Sequence, residues 1–249
     1  MISSQRYFFT HVMGITAVLV LLAWAIGQSG LDLRVAHLTY DDVTLTFTGR
    51  RSYLLALLAD WLLVALPLLA GAAALAVGLG SFIRPDLKAW RGISIAVLAV
   101  ILAGPLAAMA LKHLTALPRP HMLQIFGGRL ALPVRFFAGN GQPSGGALPS
   151  SHAAFGYTLL SLYFAGLAAG RRALMRWGLV AGIALGASLS VLRIVQGAHF
   201  LSQTVWSAAM IWLLASLIFW PLMARYPAGS GGFERAAVTG AGGERENAA

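Results

Sequence analysis

Long apolar segments alternate with short polar connections along most of the chain. Each of six such segments is close to the ~20 residues that a helix needs to cross a bilayer. Inside a bilayer every backbone N–H and C=O must be bonded within its own segment, so all six are predicted to be helices. The segments are residues 7–26, 54–79, 92–111, 153–169, 177–192 and 204–223.

The composition fits a protein embedded in a membrane. Hydrophobic residues make up 58% of the chain and charged residues only 10%, whereas soluble domains carry about 25% charged residues. The net charge is +10, but the basic residues are scattered between apolar segments and form no stripe or arm, so we exclude nucleic acid as a partner. Cysteine is absent, which excludes a thiol nucleophile and a thiolate metal site.

These patterns predict an all-α fold, a six-transmembrane-helix bundle over residues 1–223. The connections 81–91 and 170–176 carry six basic residues, and the positive-inside rule places them in the cytoplasm. The longest connection, 112–151, joins helices 3 and 4 as a long extracytoplasmic loop. Residues 224–249 are rich in Gly, Ala and charge and are expected to form a disordered cytoplasmic tail. We therefore expect a multi-pass protein of the cell inner (plasma) membrane.

The second half of the chain is basic and almost free of acids. No Asp or Glu lies between Asp86 and Glu234, so the carboxylate ligands that Mg²⁺ and Ca²⁺ prefer are missing there. We expect no metal and no other cofactor. The basic residues of this stretch suit a phosphate group, although contact with lipid headgroups is the favoured interpretation for Arg129 and Arg135.

Three short stretches at the expected extracytoplasmic ends of the helices carry candidate chemistry. In the first, Pro118 and Pro120 stiffen the loop around a basic residue. In the second, Ser150 is predicted to cap the fourth helix, whose free N–H groups and dipole attract anions. The candidate residues of the three stretches are Lys112 and Arg119, then Ser150, Ser151 and His152, then Arg193, His199 and Gln203.

The order and spacing of these residues resemble the signature of the type-2 phosphatidic acid phosphatase superfamily, also called lipid phosphate phosphatases. That pattern is Lys, six residues, Arg-Pro; then Pro-Ser-Gly-His; then Ser-Arg, five residues, His, three residues, Asp. The chain departs from it at three positions, since Ser151 replaces the Gly, Leu192 replaces the Ser and Gln203 replaces the Asp.

The resemblance implies a metal-independent phosphatase that hydrolyses a lipid phosphate or diphosphate. It implies that His199 attacks phosphorus and forms a phosphohistidine, and that His152 protonates the leaving oxygen and later activates water. The residues that it implies for phosphate binding are Lys112, Arg119, Ser150, Ser151 and Arg193.

The Asp that Gln203 replaces orients the nucleophilic His in the family. Gln203 can accept a hydrogen bond from the ring of His199 through its amide oxygen, but it supplies no negative charge. Asp60, within the second predicted helix, is a candidate substitute that could orient His199. The alternative for Asp60 is a structural bond to a neighbouring helix.

A site at headgroup level on the periplasmic face would take a lipid sideways from the bilayer. The candidate substrates are a phospholipid such as phosphatidate, a polyprenyl diphosphate and a lipid A-type phosphate, and the loops 30–51 and 121–148 are expected to select among them. Two other functions stay open at this point. One is a lipid phosphotransferase that uses the same site, and the other is a catalytically weak lipid-phosphate-binding protein, for which Gln203 is the argument.

Overall fold

The computed structural model describes residues 3–132, 136–138 and 145–225, which are mainly helical. The helices are α1 (Ser4–Gln28), α2 (Leu31–Leu38), α3 (Tyr53–Gly80), α4 (Arg91–Leu111), α5 (Ser151–Tyr157), α6 (Leu160–Ala168), α7 (Arg172–Val195) and α8 (Leu201–Arg225). Arg135 and nearly all of the predicted tail, residues 226–249, lie outside the described residues.

Five helices are long and apolar enough to cross a membrane, and they coincide with five of the six predicted segments. The fourth segment, 153–169, is instead divided into α5 and α6. The chain tightens between them because the N–H of Thr158 is shared by the carbonyls of Ala154 and Phe155, and the N–H of Leu159 bonds only three residues back, to Gly156. The count of six membrane-crossing helices therefore stays a prediction.

Apolar side chains cover the outer surface of the long helices. Leu68, Leu102 and Val180, on three different helices, are 57%, 64% and 54% exposed, respectively. A soluble protein rarely exposes contiguous apolar surface on this scale. The long helices and their apolar outer surface identify a membrane protein.

The largest core lies where α1, α4, α6 and α8 meet. Tyr7, Val100, Phe164 and Phe219 are fully buried there. The hydroxyl of Tyr7 donates a 2.9 Å hydrogen bond to the carbonyl of Ser216. This bond satisfies the hydroxyl, which would find no hydrogen-bond acceptor in the hydrocarbon of a membrane. This core holds the first and last long helices side by side.

Glycines on α7 allow the backbones of α5 and α6 to approach closely. A Cβ added at Gly178 would lie 2.4 Å from the backbone nitrogen of Tyr163 in α6, and one at Gly186 would lie 2.2 Å from the ring of Tyr157 in α5. Small residues at helix interfaces are the usual means of close packing in membranes. The glycines of α7 therefore let three helices pack within backbone contact.

Short elements cover the end of the bundle at which α4 and α7 finish. The first loop contains α2 and a hairpin of two strands, β1 (Tyr40–Asp41) and β2 (Thr46–Phe47), which pair antiparallel. The N–H of Gly49, just after β2, donates to the carbonyl of Val195 at 3.1 Å. The hairpin is thereby attached to the end of α7, where the third candidate stretch begins at Arg193.

Replacement of Gly178 by Ala should destabilise the bundle, because the new methyl group would overlap backbone atoms of α6, which cannot change rotamer as a side chain can. We expect a loss of about 1–3 kcal/mol, measured as a lower thermal unfolding midpoint in detergent. Gly27→Ala is the matched control, since the nearest atom to a Cβ at Gly27 is 3.9 Å away. Equal midpoints for the two variants would contradict this account of helix packing.

Candidate active site

The connection between α7 and α8 holds His199 in a closed turn. Gly197 has a φ of +65°, and a Cβ there would lie 2.2 Å from the ring of Phe47, so only glycine fits. The N–H groups of Ala198 and His199 both donate to the carbonyl of Arg193, at 2.9 and 3.3 Å. His199 is left only 4% exposed.

Gln203 contacts the ring of His199 from the first turn of α8. Its amide oxygen lies 3.3 Å from Nδ1 of His199 and accepts the N–H of Phe200 at 3.1 Å, while its amide nitrogen donates to the carbonyl of Pro118 at 3.3 Å. Both the oxygen and the nitrogen of the Gln203 side-chain amide therefore have partners, which determines the orientation of the amide. Because an amide oxygen only accepts, Nδ1 carries the ring proton and Nε2 keeps its lone pair.

Three basic side chains surround this imidazole. Lys112 is the C-cap of α4, Arg119 precedes the short turn Pro120–Met122, and Arg193 lies in the last turn of α7. Burial, and after it the charges of Lys112 and Arg119, lower the pKa of His199 to about 3. Burial and the charges of Arg119 and Arg193 also lower the pKa of Lys112. The three cations therefore repel one another and disfavour a fourth positive charge on His199.

The start of α5 is built as expected from its sequence. The hydroxyl of Ser150 accepts the N–H of Ala153 at 3.4 Å, which confirms the predicted N-cap. The backbone N–H of Ser150 donates to the hydroxyl of Ser207 at 2.9 Å, and this bond attaches α5 to α8. Ser150 is fully buried, so the helix start is fixed in position.

Two buried donors next to this helix start lack a protein partner. Within the described residues, the hydroxyl of Ser151 and Nε of Arg193 make no hydrogen bond. A buried donor left unsatisfied costs about 1–3 kcal/mol. Arg193 is itself one of the three cations, and Ser151 precedes His152, whose Nε2 contacts Arg193, so the combination suits an oxyanion.

His152 is joined to Arg193 and Asp60. Its Nε2 lies 3.0 Å from Oδ1 of Asp60, and the same carboxylate oxygen accepts a 2.5 Å hydrogen bond from a terminal nitrogen of Arg193, which also contacts Nε2 of His152. Another terminal nitrogen of Arg193 donates to Gln196 at 2.8 Å. His152 precedes the fourth apolar segment. Burial is the main cause that lowers its pKa to about 4, and the positive charge of Arg193 is the second.

The position of Asp60 corrects one expectation. Its contacts within the described residues are with His152 and Arg193, not with His199. Asp60 lies in α3, which packs beside the end of α7, whereas Nδ1 of His199 already has Gln203 as its partner. The carboxylate therefore does not take the place of the family Asp behind His199.

The structure brings the three stretches together at one end of the bundle. Arg129 is exposed, and within the described residues no hydrogen bond or ion pair joins its side chain to this cluster; its backbone carbonyl accepts a hydrogen bond from the side-chain amide of Gln124 at 3.5 Å. The residues gathered around the site are Lys112, Arg119, Ser150, Ser151, His152, Arg193, His199 and Gln203, with Asp60 from α3.

Two supporting residues were missed in the sequence. Nδ1 of His121 lies 2.9 Å from the carbonyl of Gly197, which connects the loop after α4 to the turn of His199. The carboxylate of Asp32 accepts the N–H of Ser202 at 2.8 Å and also bonds its hydroxyl, a favourable place for an acid at the start of α8. Neither residue belongs to a recognisable pattern, so no local signal could have identified them.

The comparisons with known proteins agree with this geometry. No curated protein and no solved structure matches the chain. The sequence matches the family model of the PAP2 superfamily over residues 93–226, more than half of its length, and this region contains every residue of the cluster except Asp60. The chain therefore belongs to the PAP2 (type-2 phosphatidic acid phosphatase) superfamily, whose members are phosphatases.

Proposed function

We propose that the protein is an integral-membrane phosphatase that hydrolyses a lipid phosphate or diphosphate through a phosphohistidine on His199, without a metal. The observation that carries the proposal is the convergence of three cations, two imidazoles and two unpartnered buried donors at one end of the bundle. Phosphoryl transfer needs chiefly positioning and neutralisation of charge, and this set offers both.

In the first step, Nε2 of His199 attacks phosphorus and the bond from phosphorus to the lipid oxygen breaks. His152 gives its proton to that oxygen, so the lipid leaves as an alcohol or, from a diphosphate, as a monophosphate. Gln203 supports the attack because it bonds Nδ1 and leaves the lone pair on Nε2. The phosphate oxygens are held by Lys112, Arg119, Arg193, Ser150 and Ser151.

In the second step, neutral His152 takes a proton from water and the water oxygen attacks phosphorus. The N–P bond breaks, which regenerates His199 and releases inorganic phosphate. General acid and base catalysis by one histidine in the two half-reactions follows from microscopic reversibility. The cations stabilise the charge on the phosphate oxygens in both transition states.

The low pKa values of both histidines favour a substrate whose phosphate is itself singly protonated. Because the pKa values of His199 and His152 lie near about 3 and about 4, both rings are neutral at pH 7 in the free protein. Neutral His199 is ready to attack, but His152 needs a proton to act as an acid. A phosphate monoanion can deliver this proton, and its negative charge then favours the protonated ring of His152.

An apolar cavity beside the cluster supports a lipid substrate. It has a volume of about 260 Å³ and opens between the end of α4, the loop segment 136–137 and α8. Leu111 and Pro149 line it, and they immediately precede Lys112 and Ser150 of the site. A phosphate in the cluster would thus have space for a hydrocarbon chain next to it. The remaining lining residues are Leu114, Thr115, Phe136, Phe137, Leu148, Trp206 and Met210.

The charges of the connections support a site on the extracytoplasmic, periplasmic face of the inner membrane. α4 begins at Arg91, next to the basic connection 81–91, and ends beside Lys112 of the site. Its 21 residues span about 30 Å, the thickness of the hydrocarbon core. Because basic connections stay in the cytoplasm, the other end of α4 faces outward.

His199→Ala should abolish phosphate release, because it removes the imidazole that forms the N–P bond in the proposed mechanism. We expect a loss of about 10³-fold or more in the release of phosphate from phosphatidate and a polyprenyl diphosphate in detergent micelles. Activity of the unmodified protein should survive EDTA. Asp86→Asn, which removes a charge from an exposed pair with Arg84, is the control and should keep full activity. Turnover by the His199 variant would end the proposal.

Gln203→Asp should increase the rate of turnover, because a carboxylate next to Nδ1 stabilises the positive charge that His199 gains when it attacks. We expect kcat to rise about 10-fold and the acid limb of the pH profile to move to higher pH. Gln203→Leu removes the acceptor altogether and should be slower than the unmodified protein. A Gln203→Asp variant that is folded but no faster would show that the missing charge does not limit the rate.

The pH dependence of kcat/KM should reflect neutral histidines and a singly protonated substrate. Below the His199 pKa of about 3 the nucleophile is lost through protonation, and above the second pKa of a phosphate monoester, ~6, the monoanion is lost. We therefore expect a maximum on the acid side of neutrality, with kcat/KM falling toward alkaline pH. The measurement is initial rates on phosphatidate from pH 3 to 9, and a rate that stays constant to pH 8 would contradict this proton balance.

A further inference from the structure

Asp60 is the carboxylate that enters an otherwise acid-free site. Among the described residues it is the only acid that contacts a member of the cluster, through His152 and Arg193. It comes from α3, outside the region 93–226 that matches the family. Its position falls within the π-helical turn Leu58–Leu62, and such turns inside α-helices are frequent at functional sites.

Nε2 of His152 lies between two partners of opposite charge. The carboxylate of Asp60, whose Oδ1 is 3.0 Å away, only accepts and so favours a proton on Nε2. The guanidinium of Arg193, which also contacts Nε2, only donates and so opposes that proton. Asp60 is thus the partner that stabilises the protonated form of His152, whereas His199 has a neutral amide, that of Gln203, at its Nδ1.

The surrounding charges explain why an acid is needed here. Arg193 and Lys112 both oppose a proton on His152, and Asp60 favours one. Arg193 is also held by this carboxylate, through a 2.5 Å hydrogen bond, which leaves its Nε directed elsewhere without a partner. One carboxylate oxygen thus orients both the acid and a phosphate-binding cation.

We propose that Asp60 is a positioning residue for His152 and Arg193, which places the one negative charge of the site behind the general acid instead of behind the nucleophile. This inference rests on the proposed phosphatase function. Through His152, Asp60 assists departure of a lipid alkoxide, which needs a proton, but not departure of p-nitrophenolate, which does not. Through Arg193, it assists phosphate binding equally for both substrates, so the difference between the substrates is expected in kcat and not in KM.

The test compares Asp60→Asn with the unmodified full-length protein in detergent, with Asp86→Asn as the matched control. We expect kcat on phosphatidate to fall about 10- to 100-fold, as for loss of part of a general acid's contribution, and the alkaline limb of kcat to move to lower pH. At saturating p-nitrophenyl phosphate, where weaker phosphate binding does not limit the reaction, the initial burst of p-nitrophenolate should stay near its original amplitude. Asp86→Asn should change none of these quantities.

A merely structural role gives a different result. It would lower the phosphatidate rate and the p-nitrophenolate burst together and leave the shape of the pH profile unchanged, and this outcome overturns the inference. Unchanged kinetics on both substrates overturn it as well. If Asp60→Asn does not fold, Asp60→Glu keeps the charge on a longer side chain, and it should retain the position of the alkaline limb while it loses rate.

A measurement without turnover separates this inference from the proposed function. In NMR titrations of histidine-labelled protein, the pKa of His152 should be lower in Asp60→Asn than in the unmodified protein, while the pKa of His199 changes little. If the unmodified protein releases no phosphate but this shift is present, the phosphatase proposal fails and the positioning by Asp60 stands. If the protein is active and the pKa of His152 does not move, the positioning role is wrong.

Discussion

Mutual repulsion among buried cations is the constraint on which the rest of the site depends. Lys112, Arg119 and Arg193 lie close enough together to depress the pKa of nearby groups, and Asp60 is the one carboxylate of the described residues that contacts them. Holding such charges together at the edge of a bilayer costs free energy, which Asp60 offsets in part and a bound anion would offset further. The site is therefore matched to an anionic group before any chemistry takes place.

The scaffold has to be rigid to hold that arrangement, and small residues provide the rigidity. Gly178 and Gly186 let α7 approach α5 and α6 within backbone contact, and Gly197 lets the turn of His199 lie against Phe47. Each contact fixes the end of one helix relative to another. As a result, the start of α5 and the end of α7, which carry His152 and Arg193, meet in one place.

The two histidines are supported in different ways, and Gln203 beside His199 is one of the three positions at which the chain departs from its family pattern. The neutral amide of Gln203 bonds His199, and the carboxylate of Asp60 bonds His152. A charge on one side of a site can favour only the proton that it faces. In the mechanism that we propose, an acid beside His152 instead of His199 changes which step of phosphoryl transfer is assisted, while the cations and the helix start of α5 are retained.

The sequence by itself determined the helical segments, the cap at Ser150 and the identity of the cationic and imidazole groups, because bilayer length, capping and motif spacing act over short stretches of chain. Tertiary structure alone decided the division of the fourth segment, the hairpin in the first loop and the partners of Asp60 and Asp32. Asp60 is 92 residues from His152, and Asp32 is 170 from Ser202. Such pairings depend on how helices pack, and no local pattern of residues encodes that distance.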